Sequence, residues 1–124
     1  MSSFPSTQPA SAFAASALKA QTALDNGPGA HRIGLIALAS DYVVERDFIN
    51  MRPGDEVAVF VSRVLNVNPC TVENLRTMGP RLADAASLII PAGRLDVMVY
   101  CCTSGTTAMG YDTVADSIHT VRPG

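Results

Sequence analysis

The stretch that most constrains this chain is Leu95-Asp96-Val97-Met98-Val99-Tyr100-Cys101-Cys102-Thr103-Ser104-Gly105-Thr106-Thr107-Ala108-Met109-Gly110. Its first half is a near-continuous apolar run rich in β-branched residues, the pattern of a strand buried on both faces, as in a parallel sheet. Its second half changes abruptly to small hydroxyl residues and glycine. That change predicts a tight turn opening into a helix, where short side chains let a ligand approach the backbone. Cys101 and Cys102 stand at the junction. In open α/β sheets, ligands bind in the crevice beyond the carboxyl ends of the strands. A thiol there, facing free amides at a helix start, is expected to have a lowered pKa and to serve as nucleophile or proton carrier. The competing reading is packing alone, since cysteine is among the most buried residue types. Thr103-Ser104-Gly105-Thr106 weighs against it: an all-polar run of small residues closes a core poorly and holds a carboxylate or oxyanion well.

The remaining features bound the function. A chain of 124 residues, 48% hydrophobic, is enough for one domain with a buried core. A formal net charge of −2 argues against a nucleic-acid surface. No apolar run approaches the length of a membrane span, so no membrane partner is expected. The cysteines are Cys70, Cys101 and Cys102. An odd number with two adjacent is no disulfide framework, and reduced thiols in a cytoplasmic setting fit best. Two histidines and no Cys-x-x-Cys spacing give a metal site no support.

Taken in order, residues 1–30 read as a loosely attached Ala-, Ser- and Pro-rich extension, flexible or helical. Residues 1–8 are expected to be disordered. Residues 9–24 suit an Ala-rich helix, with Asn26-Gly27-Pro28 as its stop signal. No arginine precedes Arg32 and no compact apolar segment stands near the start, so a targeting peptide is not expected. The domain occupies residues 31–124. Arg32-Ile33-Gly34-Leu35-Ile36-Ala37-Leu38 reads as a buried strand. Ser40 and Asp41 follow at its carboxyl end, either to cap the next helix or to contact a substrate. That helix should run over residues 43–51 and end at Arg52-Pro53-Gly54. A second strand is expected over 55–62. Arg63 opens the loop after it, as a solvated rim residue or as the partner of a carboxylate. Leu75, Met78, Leu82, Ala85, Ala86 and Ile89 recur at helical spacing, so one helix should run from Thr71 to about Leu88, with Gly79-Pro80 as a kink. The third strand is expected over 95–101 and a last helix over 113–120.

Strand and helix alternating three times mean a parallel sheet with right-handed crossovers. The expected fold is α/β: a three-layer α-β-α lobe, flavodoxin-like, with strand order 2-1-3. All three carboxyl ends, carrying Ser40-Asp41, Arg63 and Cys101-Cys102, then lie on one edge.

Arg32-Ile33-Gly34-Leu35-Ile36, Glu45-Arg46-Asp47-Phe48, Arg52-Pro53, Asn68-Pro69, Glu73-Asn74-Leu75-Arg76 and above all Cys102-Thr103-Ser104-Gly105 resemble the Asp/Glu racemase superfamily, within it the maleate isomerase-like branch and the ectoine-utilisation proteins. The resemblance covers residues 31–124, the N-terminal half of a typical member. It implies two α/β lobes about a pseudo-twofold axis, each supplying a cysteine or its replacement to a cleft, with no metal and no organic cofactor. One thiol then removes or returns a proton beside a carboxylate, or adds to a substrate double bond. It assigns the first-lobe cysteine to Cys102. It puts Thr103, Ser104 and Gly105, with the Ser40-Asp41 turn, around the carboxylate of a small-acid substrate. It also implies a second lobe bearing the partner cysteine, a role for which Cys70, in the loop after strand two, is not expected to stand in.

Three functions compete. The first is one lobe of a cofactor-independent racemase or isomerase of small carboxylates, with ectoine catabolism as a possible setting. The second is a non-catalytic fragment, a module that binds a small acid or a partner without turnover. The third, a phosphate-binding flavodoxin-like module, lacks a Gly-rich phosphate loop after the first strand. The 124-residue chain alone is expected to be catalytically silent. It is also expected to associate through its third strand, an apolar edge without charge or proline.

Overall fold

A computed structural model describes residues 27–124. The expectations for residues 1–8 and 9–24 lie outside the described residues. Three strands, β1 (His31–Leu38), β2 (Val57–Val64) and β3 (Val97–Tyr100), form one parallel sheet in the order β2-β1-β3. β1 is central because its side chains are apolar towards both faces. Leu35, Ile36 and Ala37 are fully buried there, and strand alternation sends Ile36 to one face and its two neighbours to the other. Gly34 has a packing role at this position. A methyl on it would collide with the Met98 sulfur and stand 2.9 Å from Leu95 Cδ1, so the side chains of the β3 segment lie over bare backbone.

Five helices flank the sheet: α1 (Val44–Met51), α2 (Val72–Arg76), α3 (Gly79–Ser87), α4 (Thr103–Met109) and α5 (Tyr111–His119). Right-handed crossovers put α1 on one face and α3 on the other. The main core lies on the α3 face, where Ile36 and Val64 meet Met78, Leu82, Ala86, Ile89, Val114 and Ile118. Burying a side chain such as Leu82 contributes about 1.5–3 kcal/mol. α1 buries no residue completely and covers its face more thinly.

Four boundaries differ from the sequence reading, each for a local reason. β2 runs through Val64 because it pairs residue for residue with β1, from His31 opposite Val57 to Leu38 opposite Val64. Arg63 is therefore a strand residue rather than the start of a loop. β3 is shorter than residues 95–101. Asp96 leaves the regular ladder: its carboxylate accepts the Arg32 N–H at 2.7 Å while its own N–H donates to the Arg32 carbonyl at 2.9 Å.

The single helix expected over 71–88 is two. Pro80 cannot continue a helix from α2, since it lacks the N–H, but it suits the first turn of a new one. Thr71 caps α2 by accepting the Asn74 N–H at 3.2 Å. Finally, Thr103-Ser104-Gly105 is no turn: it is the first turn of α4, and the break before α5 falls at Gly110, at φ +90°.

The short stretch before β1 is tied down rather than loose. The Ala30 carbonyl accepts from Arg94 at 2.7 Å, and a methyl on Gly29 would stand 2.6 Å from the Ala58 Cβ. No helix among the described residues is long and apolar enough to cross a membrane.

Candidate functional site at the carboxyl ends of the strands

The parallel sheet brings the segments after all three strands to one edge, where they enclose a cavity of about 230 Å³. Its polar wall holds Ser40, Asn66, Asn68, Cys70, Asn74, Cys102 and Ser104; Leu38, Val67, Leu75 and Met78 supply its apolar part.

Cys102 is extended (φ −148°, ψ 92°) and caps α4. Its sulfur accepts the Gly105 N–H at 3.3 Å, in the place a serine or aspartate oxygen usually takes. Ser104 Oγ lies 3.6 Å from the same sulfur. The residue is 8% exposed. Gly105 is needed for space. A methyl there would come within 2.7 Å of the Tyr100 hydroxyl, 2.9 Å of Cys102 Sγ and 3.0 Å of Met78 Cε. Thr103 and Ser104 are exposed. The hydroxyls of Thr106 and Thr107 are turned back on the helix, donating to the carbonyls of Cys102 and Thr103, each at 2.9 Å.

Cys101 is half-buried, and its N–H donates to the Ile36 carbonyl at 2.9 Å. Burial pushes its thiol pKa up, and the negative charge of Asp41 and the neighbouring Cys102 add to that. Tyr100 sits beneath, its hydroxyl donating to the Met78 sulfur at 3.4 Å. Burial raises its phenol pKa above the ordinary value, with Cys102 adding to the shift.

The other expected site residues build the turn after β1. Asp41 accepts the N–H groups of Val43 and Val44 at 2.8 and 2.9 Å. Those two bonds, first Val44 and then Val43, hold its carboxyl below the usual carboxylate value, and the Arg63 charge helps. Of the two roles open to Asp41, helix capping is the one these contacts describe. Arg63 donates to the carbonyls of Leu38, at 3.0 Å, and Asp41, and pairs with Glu45 at 2.9 Å. Its guanidinium thus ties the β1 turn to α1. Ser40 donates both its N–H and its hydroxyl to Asn66 Oδ1, at 3.2 and 3.1 Å.

Four polar wall residues, Asn66, Asn68, Cys70 and Asn74, were not among the expected site residues. Cys70 lies in the loop after β2 as expected, yet it lines the same cavity as Cys102. Asn66 follows two residues after the last residue of β2, at the strand end where Arg63 drew notice instead. An amide at a strand terminus carries no sequence signal stronger than that position. Among the described residues no group of three or more His, Cys, Asp and Glu is placed to hold a metal ion.

A second, larger hollow of about 760 Å³ runs along the outer edge of β3, between Leu95, Val97 and Met98 and the Val114 and Ile118 side of α5. Arg122 closes one end of it, donating to the carbonyls of Ile89, Ile90 and Gly93. No family model, curated protein or solved structure matches the chain.

Proposed function

We propose that this domain is the first lobe of a cofactor-independent enzyme of the Asp/Glu racemase and maleate isomerase kind, acting on a small carboxylate with Cys102 as nucleophile or proton carrier. The supporting observation is the setting of that sulfur. It caps a helix at the carboxyl end of a parallel sheet, receives the Gly105 N–H, and lines a small cavity that mixes apolar side chains with amides, hydroxyls and a second thiol. Proton transfer at two faces of one carbon needs an acid and a base on opposite sides of the substrate. The second group would come from a further lobe or from another copy of the chain. Ser104, exposed and in the cavity wall, and its exposed neighbour Thr103 would meet the substrate carboxylate. Asp41 and Arg63 would shape the turn beside it. The proposed setting is cytoplasmic, where thiols stay reduced, and ectoine breakdown is the route that the sequence resemblance favours.

The burial of Cys102 favours a second reading, a module that binds a small acid without turning it over. Maleate separates the two. If Cys102 is a nucleophile, its thiolate adds to the double bond: an S–C bond forms, the C=C π bond breaks, and the carbanion takes a proton from water. Peptide mass mapping after incubation of the full chain should find a succinyl adduct on Cys102 and none in Cys102→Ala. Saturable maleate binding with no adduct would rule out Cys102 as a nucleophile; exchange of the proton beside a bound carboxylate in D₂O, lost in Cys102→Ala, would then mark a proton carrier, and its absence the binding module. No binding of maleate or malonate would sink both readings.

A further inference from the structure

We infer that Asn66 is the residue that grips the acid, and that Ser40 serves it as a positioning residue. This inference rests on the small-carboxylate reading above and names the contact that would deliver it. The orientation of the Asn66 amide is fixed by chemistry. The Ser40 backbone N–H can only donate, so the atom 3.2 Å from it must be the amide oxygen. The Ser40 hydroxyl donates to that same oxygen at 3.1 Å. With Oδ1 held twice, the NH₂ group is directed away from Ser40.

Nδ2 makes no hydrogen bond among the described residues, and none of their buried side-chain nitrogens or oxygens is without a partner. The Asn66 nitrogen is therefore accessible, on a residue that is half-buried and lines the cavity with Cys102. It offers two donors and no acceptor to whatever enters. Two cations stand near this loop, and neither lines the cavity: Arg63 is occupied with Glu45 and two carbonyls, and Arg81 donates to the Leu65 carbonyl at 3.2 Å. Recognition of an acid here falls to neutral donors, and Asn66 holds a half-buried pair that no hydrogen bond among the described residues engages, already oriented by Ser40; Asn68, also in the lining, is exposed and has no such anchor. The cavity suits a small acid: about 230 Å³ matches the volume of about eight water molecules, at roughly 30 Å³ each.

The experiment is an NMR titration of the ¹⁵N-labelled full chain with maleate at neutral pH. The Asn66 side-chain amide pair should move downfield with the same dissociation constant as the Gly105 backbone amide. A hydrogen bond to a charged group is strong enough that losing it weakens binding about tenfold or more. Both Asn66→Leu, which is neutral, and Asn66→Asp, which keeps the Ser40 contacts, should show that loss. Ser40→Ala should weaken binding only a few-fold, and Ser40→Thr should restore it. If Gly105 titrates while the Asn66 amide stays still, or if Asn66→Leu binds as the wild type does, this proposal falls and the small-acid reading survives. If the wild type binds no maleate, both fall together.

Discussion

The cavity at the carboxyl ends of the strands is about 230 Å³ and the groove along the outer edge of β3 about 760 Å³. On size alone the groove would be the site. Their walls point the other way. The small cavity is walled by side chains from the segments after all three strands, and hydrogen bonds hold its rim. Ser40 bonds to Asn66, Asp41 caps α1, Arg63 ties the turn to Glu45, and Gly105 donates to Cys102. The groove lies along a strand edge that no described strand pairs, beside α5 and between the residues before β3 and those after α5. Its charged side chains are spent elsewhere: the Arg122 guanidinium on backbone carbonyls, and Arg94 on Asp96 and the Ala30 carbonyl. Convergent polar groups with fixed directions make a site; an open volume beside an edge strand makes a place for another chain.

The largest expected effect comes from the floor of the small cavity. Gly105→Ala puts a methyl within 3.0 Å of three atoms at once, on Tyr100, Cys102 and Met78. Overpacking of this kind costs about 1–3 kcal/mol. Urea unfolding should show a lowered midpoint with an unchanged slope, and maleate binding should be lost even where the variant is folded. A variant that binds normally would show that the Cys102 sulfur can move without consequence, and the contrast between the two hollows would lose its main support.

A smaller effect is expected at the groove, and it should appear in association rather than in stability. Among the described residues β3 pairs only with β1, and Val97, at its start, is 48% exposed. Val97→Lys puts a charge on that edge, a common natural guard against edge-to-edge pairing. Its effect on folding should stay within about 0.5 kcal/mol, as for most surface changes. Light scattering over a range of concentrations should show the wild type associating and Val97→Lys remaining monomeric. A wild-type chain that is monomeric throughout would remove the edge as a docking place.

The parallel sheet, its order and the central place of β1 were legible because both-sided burial writes itself as a continuous apolar run. Leu35-Ile36-Ala37 and Val97-Met98-Val99 carry that signal openly. Element ends were less legible. Whether Arg63 belongs to strand or loop depends on its pairing with Ala37, 26 residues away in the chain. Thr106 looked like a ligand donor because its hydroxyl is indistinguishable in sequence from a free one; only the helix reveals that it, like Thr107 after it, bonds back to the backbone. Asn66 was invisible for the converse reason. Its importance comes from the Ser40 turn on the far side of α1 and β2, and no local pattern records that meeting.

The smallest expected effects are in the thiols and their pH dependence, and they compare the cavity wall with the strand beside it. The sequence favours Cys102 as the most reactive cysteine, but the fold sets burial against that. Cys70 is exposed, Cys102 buried and Cys101 half-buried. Limiting iodoacetamide should therefore modify Cys70 first, and saturating maleate should slow labelling of Cys70 and Cys102, which line the cavity, more than that of Cys101. Cys101 should carry a pH signature of its own. Its pKa lies above the usual 9.0, so its labelling rate should keep climbing at a pH where a simple thiol has levelled off. The same shift has a consequence for stability. The folded state holds the Cys101 proton more tightly than the unfolded state does, so the chain loses stability as pH rises beyond 9.0. Tyr100 acts in the same direction, beginning at its ordinary value of 10.0. Asp41 acts at the other end of the scale. Its carboxyl is depressed in the fold, so its contribution is present above 3.8 and is lost as pH falls below it. Melting followed by circular dichroism should show both declines, and Tyr100→Phe should flatten the alkaline one. An alkaline limb unchanged in Tyr100→Phe would mean that the phenol meets water as freely in the folded chain as in the unfolded one.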